Sequence, residues 1–104
     1  MVIVQGVFRV EPGDRDAFLA ESVPGMVASR ADQGCLEYVF AADLVEPGRV
    51  VLSERWGSMD DLDAHLAAVG RRRQEAAASG APPGVTVLSR DVAIYEIASV
   101  KHMG

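Results

Sequence analysis

Apolar residues along this chain switch between two periods. Between Val2 and Val10 both alternate sets are largely apolar: Val2, Val4, Gly6, Phe8 and Val10 form one, Ile3, Gln5, Val7 and Arg9 the other. That is the pattern of a strand covered on both faces. Glu11-Pro12-Gly13-Asp14 makes a turn, with Asp14 placed to cap the next segment. From Asp14 to about Ala31, Phe18, Leu19, Ser22, Val23, Met26, Val27 and Arg30 recur at helical spacing. Pro24 lies inside this stretch, where a proline removes a hydrogen bond and costs about 3 kcal/mol, so a kink or short break is expected there. Gly34 supplies the left-handed stop.

Strand alternation returns from Cys35 to Asp43, with Leu36, Tyr38 and Phe40 on one face and Cys35, Glu37, Val39 and Ala41 on the other. A hairpin loop, Leu44 to Gly48, leads into a third strand, Arg49 to Trp56, whose Val50, Leu52, Glu54 and Trp56 share a face. Ser58 is placed to cap a second helix, and Asp60 and Asp61 suit the positive end of its dipole. Met59, Leu62, Leu66 and Val69 form its apolar stripe. Gly70 interrupts, and a further helical piece runs from Arg71 to Ser79. Beyond the loop Gly80-Ala81-Pro82-Pro83-Gly84, a long last strand is predicted from Val85 to about Val100, with a bulge or bend at Ser89-Arg90-Asp91 and a loose end at Lys101-His102-Met103-Gly104.

The order β-α-β-β-α-β predicts an α+β, ferredoxin-like fold: a four-stranded antiparallel sheet with both helices on one face. A chain of 104 residues is expected to be one domain, 1-104. The other sheet face would carry Ile3, Val7 and Val39 beside Gln5 and Arg9. A monomer rarely exposes a large apolar sheet face, so a symmetric homodimer is expected. The long last strand has length to spare for reaching the partner.

Charge narrows the class of partner. The net charge is -5, which disfavours nucleic acid, since phosphate binding needs clustered cations. The one basic run is Arg71-Arg72-Arg73, read as a solvated helix face or an anion-binding lip over a pocket. No stretch is apolar enough to span a membrane, no leader is recognisable, and the single Cys35 excludes an internal disulfide. A cytoplasmic protein is the expectation. Two His and one Cys match no metal-ligand spacing. The excess of Arg over Lys and the absence of Asn point to a GC-rich bacterial genome.

Three stretches in order, Glu11-Pro12-Gly13, Gln33-Gly34-Cys35-Leu36-Glu37-Tyr38 and Glu54-Arg55-Trp56-Gly57-Ser58-Met59-Asp60-Asp61-Leu62-Asp63-Ala64-His65, give the chain a resemblance to the antibiotic biosynthesis monooxygenase family. The resemblance implies a dimeric α+β barrel with one pocket per subunit, between sheet and helices. Several members of that family oxygenate phenols or quinols with no metal, flavin or haem, so no cofactor is expected. Others bind and degrade haem, and many have no known activity. The haem-degrading branch uses an Asn on the first strand with a Trp and a His; here the matching position is Gly6, and the chain has no Asn.

The candidate site follows. His65 is placed to handle a phenolic proton, because imidazole titrates near neutral pH, or to pack at the edge of the core. Glu54, if buried beside Trp56, would have a raised pKa and serve as a base; otherwise it pairs with an Arg or a strand end. Trp56 either stacks on a planar substrate or seals the sheet. Tyr38, Phe8, Phe40 and Met26 would complete an aromatic-lined pocket. Three functions fit: a cofactor-independent monooxygenase acting on a small phenol or quinol, a non-catalytic dimeric module for a hydrophobic ligand, or haem binding through His65.

Overall fold

The computed structural model describes residues 1–104. Strand β1 (Val2–Arg9) leads through a single 3-10 turn, Pro12–Asp14, into helix α1 (Arg15–Arg30). Strands β2 (Cys35–Ala42) and β3 (Arg49–Trp56) follow, then helix α2 (Met59–Ala78) and strand β4 (Ser89–Glu96). The four strands form one antiparallel sheet in the order β2-β3-β1-β4. This is the ferredoxin-like arrangement, two layers thick, and its shortest dimension is 20 Å.

Strand register defines the two faces. Val4 pairs with Glu54 on one side and Ile94 on the other; Phe8 pairs with Val50 and Arg90. Val2, Val4, Gly6, Phe8, Val50, Leu52, Glu54 and Trp56 therefore face the helices. Two small clusters make the core. Val2, Val4 and Trp56 pack with Leu62 of α2, and Val10 and Val50 pack with Phe18 of α1. Burying each such side chain stabilises the fold by about 1.5–3 kcal/mol. Only 12 of the 104 residues are buried, because one face of the sheet has no covering layer.

Both helices are more continuous than the sequence predicts. Pro24 does not break α1. Its lost partner is the carbonyl of Ala20, and both residues are exposed, so the vacant bond lies on the solvent side of the helix. Gly70 does not interrupt α2. A helical Gly costs about 1 kcal/mol relative to Ala, too little to stop a helix with packed residues and a good cap. Ser58 is that cap, its hydroxyl accepting from the Asp61 N–H at 3.1 Å. Asp14 makes no such bond; the 3-10 turn starts α1 instead. Gly34 has φ 78°, and Asp61 packs against its Cα, so no side chain fits there.

The last strand is shorter than predicted. Its sole neighbour is β1, and Ser89 pairs with Arg9 while Glu96 pairs with Val2. Residues before Ser89 would have to pair with Val10–Pro12, where the chain has already turned away. Val85 and Val87 still alternate inward, onto the Phe18 cluster, and the Val85 N–H donates to Glu21 of α1 at 2.9 Å. Ser89-Arg90-Asp91 forms regular ladder rather than a bend. The irregularity falls in β2 instead: a bulge between Cys35 and Glu37 turns Cys35 toward the core and leaves Leu36 exposed, reversing their expected faces. Asp43 lies in the β2–β3 loop, not in the strand. Its carboxylate accepts from the N–H groups of Val45 and Glu46 and from Arg49, which hold its pKa at about 2.

Candidate functional site

Strand β3 and helix α2 bring the chemistry together, because Glu54 and Trp56 share a strand face and α2 turns back over it. His65 lands on that face, 3% exposed. Its ring lies 4.5 Å from the indole of Trp56 and 5.4 Å from the ring of Tyr38. The buried stripe of α2 thus runs through Leu62 and His65, and Leu66, expected inside, is half exposed.

A line of polar groups crosses this packing. The carboxylate of Asp32 lies 2.9 Å from His65 Nδ1. A hydrogen bond donated by Nδ1 to that carboxylate holds the ring in place and, in the neutral imidazole, leaves the lone pair on Nε2. That nitrogen lies 4.0 Å from Oε1 of Glu54, which accepts a 2.9 Å hydrogen bond from Trp56 Nε1. Glu54 is 5% exposed and has no Arg partner. Burial pushes its carboxyl pKa up, against the Trp56 hydrogen bond and the nearby His65. Burial and the Glu54 charge also raise the Tyr38 phenol, against a hydrogen bond with Ser29 and the charges of Arg73 and Arg72. Burial and the Glu54 and Asp32 charges raise the Cys35 thiol, which leaves it a packing group.

Next to this line, a cavity of about 370 Å³ opens between α2 and the sheet. Its walls include Phe8, Tyr38, Phe40, Glu54 and His65, five of the side chains singled out in the sequence. Leu52, Leu62, Leu66 and Val69 add apolar surface, and Val92 and Ile94 of β4 line the side that no helix covers. Its volume lies in the range of small-molecule sites, and its lining is apolar and aromatic with a few polar groups. Phe18, Phe8, Phe40 and Tyr38 make a continuous aromatic set, with neighbouring centroids 5.4–6.0 Å apart.

Trp56 and Met26 lie outside this lining. Trp56 is fully buried behind His65 and reaches the cavity only through His65 and Glu54. Met26 packs behind Phe40, its sulfur accepting the Phe40 N–H at 3.3 Å. Gly6 leaves no space: a Cβ there would meet Val92 at 2.6 Å. Asp32 and Arg90 are additional. Asp32 lies 33 residues from His65, and no local pattern marks such a pair. Arg73 belongs to the basic run, but its place in the cavity wall depends on α2 continuing through Gly70.

A two-layer ferredoxin-like domain with a cavity under its second helix is the class of protein that fold and site define. The model of the family described as antibiotic biosynthesis monooxygenase matches residues 1–76, and the chain belongs to that family. A candidate antibiotic biosynthesis monooxygenase from Deinococcus radiodurans is similar over 100% of both chains, with 26% identity and a TM-score of 0.80. The haem degrader MhuD from Mycobacterium tuberculosis, solved with two haems in its active site, matches 98% of this chain and 100% of its own with a TM-score of 0.69; at 14% identity that likeness is one of fold. An uncharacterised protein from Synechocystis is 31% identical over 65 residues, which are 62% of this chain and 44% of that relative. The chain spans less than half the length of that curated relative.

Proposed function

We propose that the chain is a cofactor-independent monooxygenase that oxidises a small aromatic phenol or quinol in the cavity beside His65 and Glu54. The observation that carries this reading is the Asp32–His65–Glu54 line ending at an aromatic-lined cavity. A basic group there takes the phenolic proton, with the Asp32 carboxylate holding His65 in place. The electron-rich phenolate then reacts with oxygen directly, and the apolar walls exclude water. A ring carbon gains a C–O bond to dioxygen. The O–O bond then breaks, the ring proton leaves, and the distal oxygen departs as water. The balance is one phenol plus one O2 to one quinone plus one water, with no external reductant.

Trp56 serves this site from behind, as the hydrogen-bond donor that orients Glu54. Tyr38, Phe8 and Phe40 hold the ring, and Met26 supports Phe40. A homodimer through the open sheet face agrees with the thin core and with partly exposed Ile3, Val7 and Val39 on that face. Sedimentation at micromolar concentration tests it: two chains are expected, and a stable monomer would contradict it.

A non-catalytic module binding a hydrophobic ligand is the second reading. It is favoured by the absence of Asn and by Val92 filling the space next to Gly6. Haem ligation by His65 is the poorer reading, since Nδ1 is taken by Asp32 and Nε2 faces a carboxylate. Turnover under labelled oxygen separates the first two. One labelled oxygen in a quinone product and one O2 consumed per substrate are expected. In His65→Ala the rate should fall by about 10²–10⁴-fold, the usual worth of general acid–base catalysis. Saturable binding with no oxygen consumed across hydroxyaromatics would leave the binding module.

A further inference from the structure

Arginine pairing divides the chain. Arg9, Arg49 and Arg55 pair with carboxylates, and Arg15 and Arg30 donate to backbone carbonyls. Arg71, Arg72, Arg73 and Arg90 have no partner in the chain. Arg73 of α2 and Arg90 of β4 line the same apolar cavity as His65 and Glu54. They do so in a chain with 15 acidic and 10 basic residues, where carboxylate partners are plentiful.

Both arginines lie at one end of the cavity. Helix α2 starts at the Trp56 end, with Leu62 against Val2, Val4 and Trp56, and runs back along the sheet. His65, Val69 and Arg73 follow at intervals of four, so they share a face, and Arg73 lies about 12 Å along the axis from His65. On the sheet, Ile94 shares a row with Val4 and Glu54, and Arg90 shares a row with Phe8. Those rows are four residues apart, about 13 Å along the strand. Two elements therefore set a cationic end at about the same distance from the proton-handling end, with aromatic rings between.

We propose that Arg73 and Arg90 receive the carboxylate of an elongated aromatic acid whose reacting hydroxyl lies at His65 and Glu54. This rests on the cavity being the substrate site and adds the substrate's class and orientation. Guanidinium groups match carboxylates in shape and charge, and exposed side chains reach a ligand that enters by the open side.

Calorimetry on the whole chain tests it with three probes: a hydroxynaphthoic acid with hydroxyl and carboxyl at opposite ends, its isomer with the two groups adjacent, and the naphthol without a carboxyl. The first is expected to bind about tenfold tighter than the other two. That advantage should shrink in Arg73→Ala and in Arg90→Ala and weaken with added salt, while naphthol binding changes by a much smaller factor. Both residues are exposed, so the variants should fold, and circular dichroism checks it. Equal binding of all three probes would overturn the anion end and leave the pocket standing. No binding of any probe by folded protein would overturn both.

Discussion

Asp32 and His65, 33 residues apart in sequence, meet at 2.9 Å, and this contact ties the turn after α1 to the first half of α2. Asp32 is partly exposed while His65 is buried, so the carboxylate stays hydrated on one side and fixes the ring on the other. In Asp32→Asn the amide can present either oxygen or N–H₂ to Nδ1, and the tautomer is no longer imposed. Oxygenation is expected to slow by at least about 10-fold and by at most about 10⁴-fold, the loss seen when a carboxylate that sets a catalytic histidine's tautomer becomes an amide. Naphthol affinity should change little. Imidazole nitrogen shifts in the NMR spectrum read the tautomer directly; an unchanged tautomer with unchanged rate would remove Asp32 from the site.

Glu54 sets a pH dependence with a definite sign. Its folded pKa is raised above the ordinary 4.5, so the fold binds this proton more tightly than the unfolded chain. Its contribution to stability is full below 4.5 and is lost as pH rises through the folded value. Glu54→Gln keeps an oxygen for Trp56 Nε1 and removes the charge. The difference in melting temperature, variant minus wild type, should grow more positive as pH rises above 4.5. Oxygenation by the variant should fall, because Gln cannot take a proton. A pH-independent difference would contradict the buried, unpaired carboxyl.

Two glycines should respond in opposite directions. Gly70 sits within α2 with open space where a Cβ would be, so Gly70→Ala should stabilise by about 0.5–1 kcal/mol through helix propensity alone. Gly34 has φ 78° and Asp61 packed on its Cα, so Gly34→Ala should destabilise by more than that. Urea unfolding of the two variants beside wild type measures both. The same sign for both would contradict the open helical site of Gly70 or the left-handed turn at Gly34.

The element order, the Ser58 cap, the left-handed conformation of Gly34 and the company of Glu54 with Trp56 were all legible in the sequence, because each rests on residues close together in the chain. What was not legible depends on distant partners. The last strand reads as long from Val85 on, yet β1 supplies pairing only for Ser89–Glu96. Cys35 and Leu36 exchange faces through a bulge that alternation cannot register. His65 reads as marginal to its helix stripe and is buried, since Asp32, Glu54 and Trp56 give its polar atoms and ring a place inside. Trp56 reads in the sequence either as a pocket wall or as a seal on the sheet, and it is fully buried behind His65.

Fluorescence of Trp56 measures the central claim most directly, because it is the sole Trp and its ring lies 4.5 Å from His65, which lines the cavity. Titration with a planar hydroxyaromatic, corrected for absorption, should give saturable quenching in wild type. Gly70 also lines the cavity, with open space where a Cβ would be, so Gly70→Phe should place bulk at its mouth and abolish the quenching while the protein stays folded. Linear, non-saturating curves in both, or equal saturation in both, would contradict the cavity under α2 as the ligand site.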